Sequence, residues 1–322
     1  MRGWWQDLTD LVLPAECGGC GTPRTVLCEE CRAALSGAAP RRVRPVPEPP
    51  GLPAVYAAAS YAGEVRAAIL AHKERGALAL AGALGAGVAG AVRSGLREAR
   101  TVRIVTSWRD TRDTRDTPHD AGTPRGDGNE TAVAPPTGPE LPGPVLLVPV
   151  PSAPWAVRAR GHDPVRRIAL AAAAELRRTG ATARVVPVLR QRRAMADQSG
   201  LDSRQRMANV AGALEVTEGG ARLLAGGRVV LVDDLVTTGY TLAEAARAVR
   251  EAAATGGKGE PKRAVYRRAT WEGSEERTAG SGEEQAKWTR DAPGMAAGND
   301  LVGPVRAAVI AAVPDSFENN RN

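Results

Sequence analysis

The sequence predicts an α/β protein whose mainly parallel sheet is flanked by helices, with a small four-cysteine module ahead of it. Three observations carry that prediction. Val229-Val230-Leu231-Val232 is a short apolar run without polar alternation, as in a strand buried on both faces. Strand-like and helix-like patterns alternate through the second half, which favours parallel strands joined by helical crossovers. All four cysteines, Cys17, Cys20, Cys28 and Cys31, are confined to one short stretch near the N-terminus.

In chain order, residues 1–39 hold that module and a preceding amphipathic segment. Trp4, Trp5, Leu8, Leu11 and Val12 recur at helical spacing, predicting a short helix packed on the body. Two Cys-x-x-Cys pairs follow, at a separation that lets four thiolates close a tetrahedral site. Filled by four protein ligands, such a site is structural. Zinc is the expected metal in a reducing compartment, with iron the alternative; free or redox-paired thiols are the competing reading. Residues 40–53, rich in Pro and Arg, read as an extended linker to a main domain over 54–316, with 317–322 as a tail.

Ala54–Ser60 reads as a strand, and a helix with Val65, Ile69 and Leu70 on one side runs toward His72 and Lys73. Ala77–Leu96 reads as a further helix, weakened by its glycines. Residues 107–143 and 255–302 lack apolar periodicity and are expected to be disordered insertions. The first holds Arg-Asp-Thr three times in tandem and His119, expected to be inert. Val145–Pro151 predicts a buried strand. Asp163 and Pro164 predict an N-cap and first helical residue, and that helix ends near Arg178, before Gly180. A strand over Arg184–Leu189 and an edge strand over Val305–Val313 complete the sheet.

The 322 residues allow one or two domains, and 43% apolar content supplies a core, although a single Phe predicts thin, closely packed layers. A net charge of +7 permits contact with phosphates or nucleic acid, but an Arg-rich composition explains it equally well. Ala77–Val92 is too weakly apolar to predict a membrane span, and Asp7 and Asp10 interrupt any signal-peptide pattern. A cytoplasmic location is expected.

The chemistry concentrates at 228–250. Behind the apolar run come Asp233 and Asp234, then Thr237-Thr238-Gly239, Tyr240 and Thr241, then a helix with Leu242, Ala245, Ala246 and Val249 on one face. Thr241 and Glu244 have capping-box spacing, which starts that helix at Thr241. Unpaired N–H groups at a helix N-terminus suit a phosphate, and threonine hydroxyls can add donors. Adjacent carboxylates would repel a phosphate, so they fit hydroxyls or a bridging metal ion. A phosphorylated sugar satisfies both halves.

This stretch resembles the phosphoribosyl-pyrophosphate (PRPP) motif of type I phosphoribosyltransferases. The resemblance implies that Asp233 and Asp234 contact the ribose hydroxyls and that Thr237 to Thr241 cradle the 5′-phosphate. Over roughly 11–100, 145–254 and 305–313 the chain also resembles the ComF family, phosphoribosyltransferase-like proteins associated with DNA uptake. The shared features are Leu13-Pro14, the cysteines, Tyr61-x-Gly63, Lys73-x-x-Gly76, Val148-Pro149-Val150-Pro151, and Arg158-x-Arg160-Gly161. Arg193, Gln198, Leu201, Arg206 and Asn209 continue the likeness. Two departures stand out. Tyr240 replaces a small residue, and His162-Asp163-Pro164 follows Arg160-Gly161 where the family has an aromatic residue and an Asn-Gln pair.

The resemblance implies a pyrophosphate loop at Val150–Pro154 and a basic lid near Arg190–Arg206. Lys73, Arg158, Arg160 and Arg193 would meet phosphate oxygens. It implies a PRPP-binding protein, an active transferase releasing pyrophosphate with Mg²⁺ if an acceptor is bound. The alternative it implies is a non-catalytic DNA-uptake adaptor contacting single-stranded DNA or a helicase. Interleaved aromatics of the kind that stack bases are lacking, as is a helix-turn-helix module for a PRPP-sensing regulator.

Overall fold

The structure is a computed structural model, and it describes residues 16–110, 143–193, 210–256 and 303–317. Its helices are α1 (Glu29–Ser36), α2 (Gly63–Glu74), α3 (Ala81–Asp110), α4 (Pro154–Arg160), α5 (Pro164–Arg178), α6 (Gly220–Leu224) and α7 (Tyr240–Gly256). Its strands are β1 (Arg41–Val43), β2 (Ala54–Ser60), β3 (Val145–Pro149), β4 (Ala183–Val185), β5 (Leu189–Gln191), β6 (Leu214–Val216), β7 (Arg228–Val236) and β8 (Arg306–Ala312).

Six strands form one sheet in the order β1-β2-β8-β7-β3-β4, parallel throughout except for β1, which runs antiparallel to β2. A separate antiparallel hairpin joins β5 to β6. Pure apolar runs at β3 and β7 fit a sheet covered on both faces. On one face Val145, Leu147, Val230 and Val232 meet α3 and α5, and on the other Leu146, Val148, Val229 and Leu231 meet α7.

Helix α5 starts as its sequence demands. The Asp163 carboxylate accepts from the Arg166 N–H at 3.1 Å, and Pro164 opens the first turn. Val165, Ile168, Ala169, Ala172 and Leu176 form the buried stripe. Burying a Leu or Ile of this kind stabilises by about 1.5–3 kcal/mol. Helix α3 includes most of the apolar window Leu78–Glu98, with mean hydropathy 1.3, long and apolar enough by composition to cross a membrane. Here it lies against α5 and the sheet, with Leu84, Val88, Ala91 and Val92 buried. Gly85 lets the two helices approach closely: a Cβ there would sit 2.5 Å from the Ala171 Cβ.

Several expectations are corrected. Val305–Val313 is no edge strand: β8 lies between β2 and β7, and its small side chains fit the crowded centre. The linker contains β1, and the Arg42 guanidinium donates to Glu98 at 3.1 Å. Arg184–Leu189 is two strands, because Pro187 has no N–H for the ladder and the chain passes to the hairpin. Residues 107–110, expected in the first insertion, belong to α3, and residues 255 and 256, expected in the second, belong to α7, while 111–142 and 257–302 lie outside the described residues. The amphipathic segment at 4–13, His119, Gln198, Leu201, Arg206 and Asn209 lie outside the described residues.

Candidate functional site

Strand β7, loop 237–239 and α7 succeed one another without interruption. The acidic pair lies inside β7, since pairing with β8 continues through Val236. Successive strand residues take opposite faces, so Asp234 shares its side with Val230 and Val232, and Asp233 shares its side with Val229 and Leu231.

Their environments differ accordingly. Asp234 is 5% exposed, and its Oδ2 lies 2.7 Å from Nζ of Lys73, in the last turn of α2. Burial opposes the charge on Lys73, but Asp234 beside it outweighs that and raises the ammonium pKa. Asp233 accepts from the Asp234 N–H at 2.9 Å. Burial, then the charge of Asp234, push the Asp233 carboxyl well above the usual carboxylate range. The pair therefore presents one ion-paired carboxylate and one that resists ionisation.

The loop packs closely against Pro45 and Leu52. Gly239 has φ +78°, a left-handed conformation that favours glycine, and the side chains of Leu52 and Pro45 occupy the space beside it. Its carbonyl accepts from the Ala243 N–H at 2.9 Å, so Gly239 caps α7. Thr237 is exposed, while Thr238 and Thr241 are half-buried. The helix thus opens at Tyr240, one residue before the predicted start, and Tyr240 lines a cavity on the outer side of α7. The capping box also fails. Glu244 is buried and accepts from the Leu214 N–H at 3.1 Å and from Arg247 Nε at 2.8 Å. A tertiary contact has taken the side chain that capping would use.

The basic candidates separate. Arg160 ends α4 and donates to Glu74 at 3.3 Å, next to Lys73, so the ends of α2 and α4 meet. Arg158 is exposed on α4. Arg193 follows the β5–β6 hairpin's first strand and donates to the Ala211 carbonyl at 2.9 Å. Ser152 donates to Asp163 at 3.3 Å, and Gln191 donates to the Pro151 carbonyl at 3.4 Å, tying down the loop after β3. Glu74, Ser152 and Gln191 carry no motif of their own in the sequence. A Lys-Glu pair at a helix end was the available signal for Glu74. His162 is half-buried, its ring centroid 6.0 Å from that of His72, which burial keeps toward its neutral form.

The cysteine module brings its four sulfurs within 4.8 Å of one another. The Cys28 N–H donates to Cys17 Sγ at 3.3 Å, and Cys20 Sγ lies 3.0 Å from Thr22 Oγ1. Burial opposes ionisation of Cys17, but donors from Cys20, Cys28 and Gly19 bring its thiol down to about 6. Burial pushes the Cys31 thiol up. Four convergent sulfurs, one already poised as thiolate, can hold a metal ion such as zinc, which would draw the remaining protons off. Cys17, Leu27, Cys31 and Leu35 share the core cluster of α2, α3 and the sheet, so the module is seated on the body. No protein-family model matches the chain, and no curated protein matches it.

Proposed function

We propose that the protein binds PRPP with Mg²⁺ at the carboxyl edge of β7, as a type I phosphoribosyltransferase-like protein of the ComF kind. One juxtaposition supports this most. An Asp-Asp pair stands in a central parallel strand, and left-handed Gly239 follows it at the start of a helix running Tyr240–Gly256. Ligands of open α/β sheets sit at such strand ends, and the helix terminus supplies N–H donors with about half a positive charge. In this reading the loop takes the 5′-phosphate and Asp233 and Asp234 take the ribose hydroxyls. Asp233, costly to ionise as it stands, gains donors when the sugar binds. Lys73 and Arg160 flank the pyrophosphate, which carries its own Mg²⁺. Transfer breaks the bond from C1 to pyrophosphate and forms one from C1 to an acceptor, whose proton leaves with solvent. The cysteine module holds structural zinc.

Calorimetric titration with PRPP and Mg²⁺ tests the binding step. Heat is expected for the native protein and none for the variant carrying Asp233→Asn and Asp234→Asn. Equal heat in both, with both folded, overturns the assignment. Pyrophosphate release across a panel of nucleobases and amines then tests turnover.

A further inference from the structure

A cavity of about 660 Å³ lies on the outer side of α7, away from β7. That volume is within the range of small-molecule sites. Pro49, Pro50, Val210, Tyr240 and Ala243 give it apolar walls, and Arg250 stands on its rim. The cations of the lining are not equivalent. Arg247 is bound to both Glu244 and Glu251. Among the described residues Arg250 donates to the Gly51 carbonyl at 2.8 Å and no carboxylate pairs with it. Partial burial lowers its pKa, as expected of a guanidinium without a countercharge.

We infer that this cavity binds a small amphipathic monoanion: a flat apolar body against Tyr240 and the prolines, with one carboxylate on Arg250. A guanidinium takes a carboxylate bidentately. A single charge is the right number. Glu244, Glu251 and Arg247 together carry one net negative charge in the same lining, which disfavours a dianion such as a phosphate monoester. Tyr240, the first residue of α7, borders both this cavity and the proposed ribose-phosphate site, but the inference does not depend on that reading.

Calorimetry of the full chain with 2-naphthoate, and with 2-naphthamide as its uncharged counterpart, tests the inference. Naphthoate is expected to bind in the submillimolar range. Arg250→Gln should weaken it at least about tenfold, the worth of one charge-assisted hydrogen bond. Naphthamide should not distinguish native protein from Arg250→Gln. Ala254→Trp, an exposed position on the cavity wall, should abolish binding with unfolding unchanged. Absence of naphthoate binding, equal affinity in Arg250→Gln, or undiminished binding in Ala254→Trp overturns it.

Discussion

Helix α3 offers two glycines whose replacement by alanine should move stability in opposite directions. Alanine gains about 0.8–1.0 kcal/mol over glycine in a helix interior. At Gly82 an added methyl would have nothing within 4 Å, so the propensity gain stands alone, at most about 1 kcal/mol in this first turn. At Gly85 it would lie 2.5 Å from Ala171 Cβ, 2.8 Å from Ala172 N and 2.9 Å from Ala171 C. Two of those three atoms are main chain inside α5 and cannot rotate aside, so α3 and α5 must separate. Overpacking of that kind costs about 1–3 kcal/mol. Packing therefore wins: Gly85→Ala should destabilise by up to roughly 2 kcal/mol, and the two variants should differ by about 1–3 kcal/mol. In a domain of this size that separates their Tm values by roughly 2–4 °C per kcal/mol. Urea unfolding followed by circular dichroism reads the difference directly. A Gly85→Ala protein as stable as Gly82→Ala would refute the close contact of α3 with α5.

Glu244→Ala should cost about 2–3 kcal/mol, less than the roughly 3–5 kcal/mol of a fully buried broken pair, because Arg247 is 37% exposed and keeps Glu251. Glu244→Gln, which keeps an acceptor for the Leu214 N–H, should cost less, and equal losses in urea melts would contradict that role. Asp233 has its folded pKa raised above the ordinary 3.8, so the native state keeps a proton the unfolded chain has released, and stability falls as pH rises from about 4 through the folded value. Asp233→Asn should remove that slope and raise Tm at pH 7, the stability gained being about 1.4 kcal/mol for every tenfold by which folding tightens the carboxyl's hold on its proton; superimposable Tm–pH curves for the two proteins would count against it. Chelation, or Cys17→Ser with Cys31→Ser, should lower Tm, and elemental analysis should find about one zinc per chain; a metal-free protein with an unchanged melt would show the sulfurs to be structural thiols only.

Local chemistry was legible wherever one segment carried its own signal. The buried run of β7 and the Asp163-Pro164 start of α5 behave as their patterns dictate. What sequence could not supply was partnership across distance. Lys73 is a phosphate candidate by the resemblance of Lys73-x-x-Gly76, and nothing in that segment shows that Asp234, far along the chain, lies 2.7 Å from its Nζ. Glu244 stood three residues after Thr241, yet hydrogen bonding to Leu214 claimed it. The Val305–Val313 run looked like an edge because nothing within it shows that β2 and β7 will lie on either side. Three residues of β1 hid among prolines and arginines, where ladder pairing rather than propensity makes the strand.

Helix α2 is held at both ends by unlike chemistry. Its first turn, at Glu64, abuts Gly19 of the cysteine module, and its last turn delivers Lys73 to Asp234 and Glu74 to Arg160. The three-turn span of α2 thereby sets the distance from the sulfur cluster to the acidic strand, so neither anchor can shift along the helix axis without straining the other.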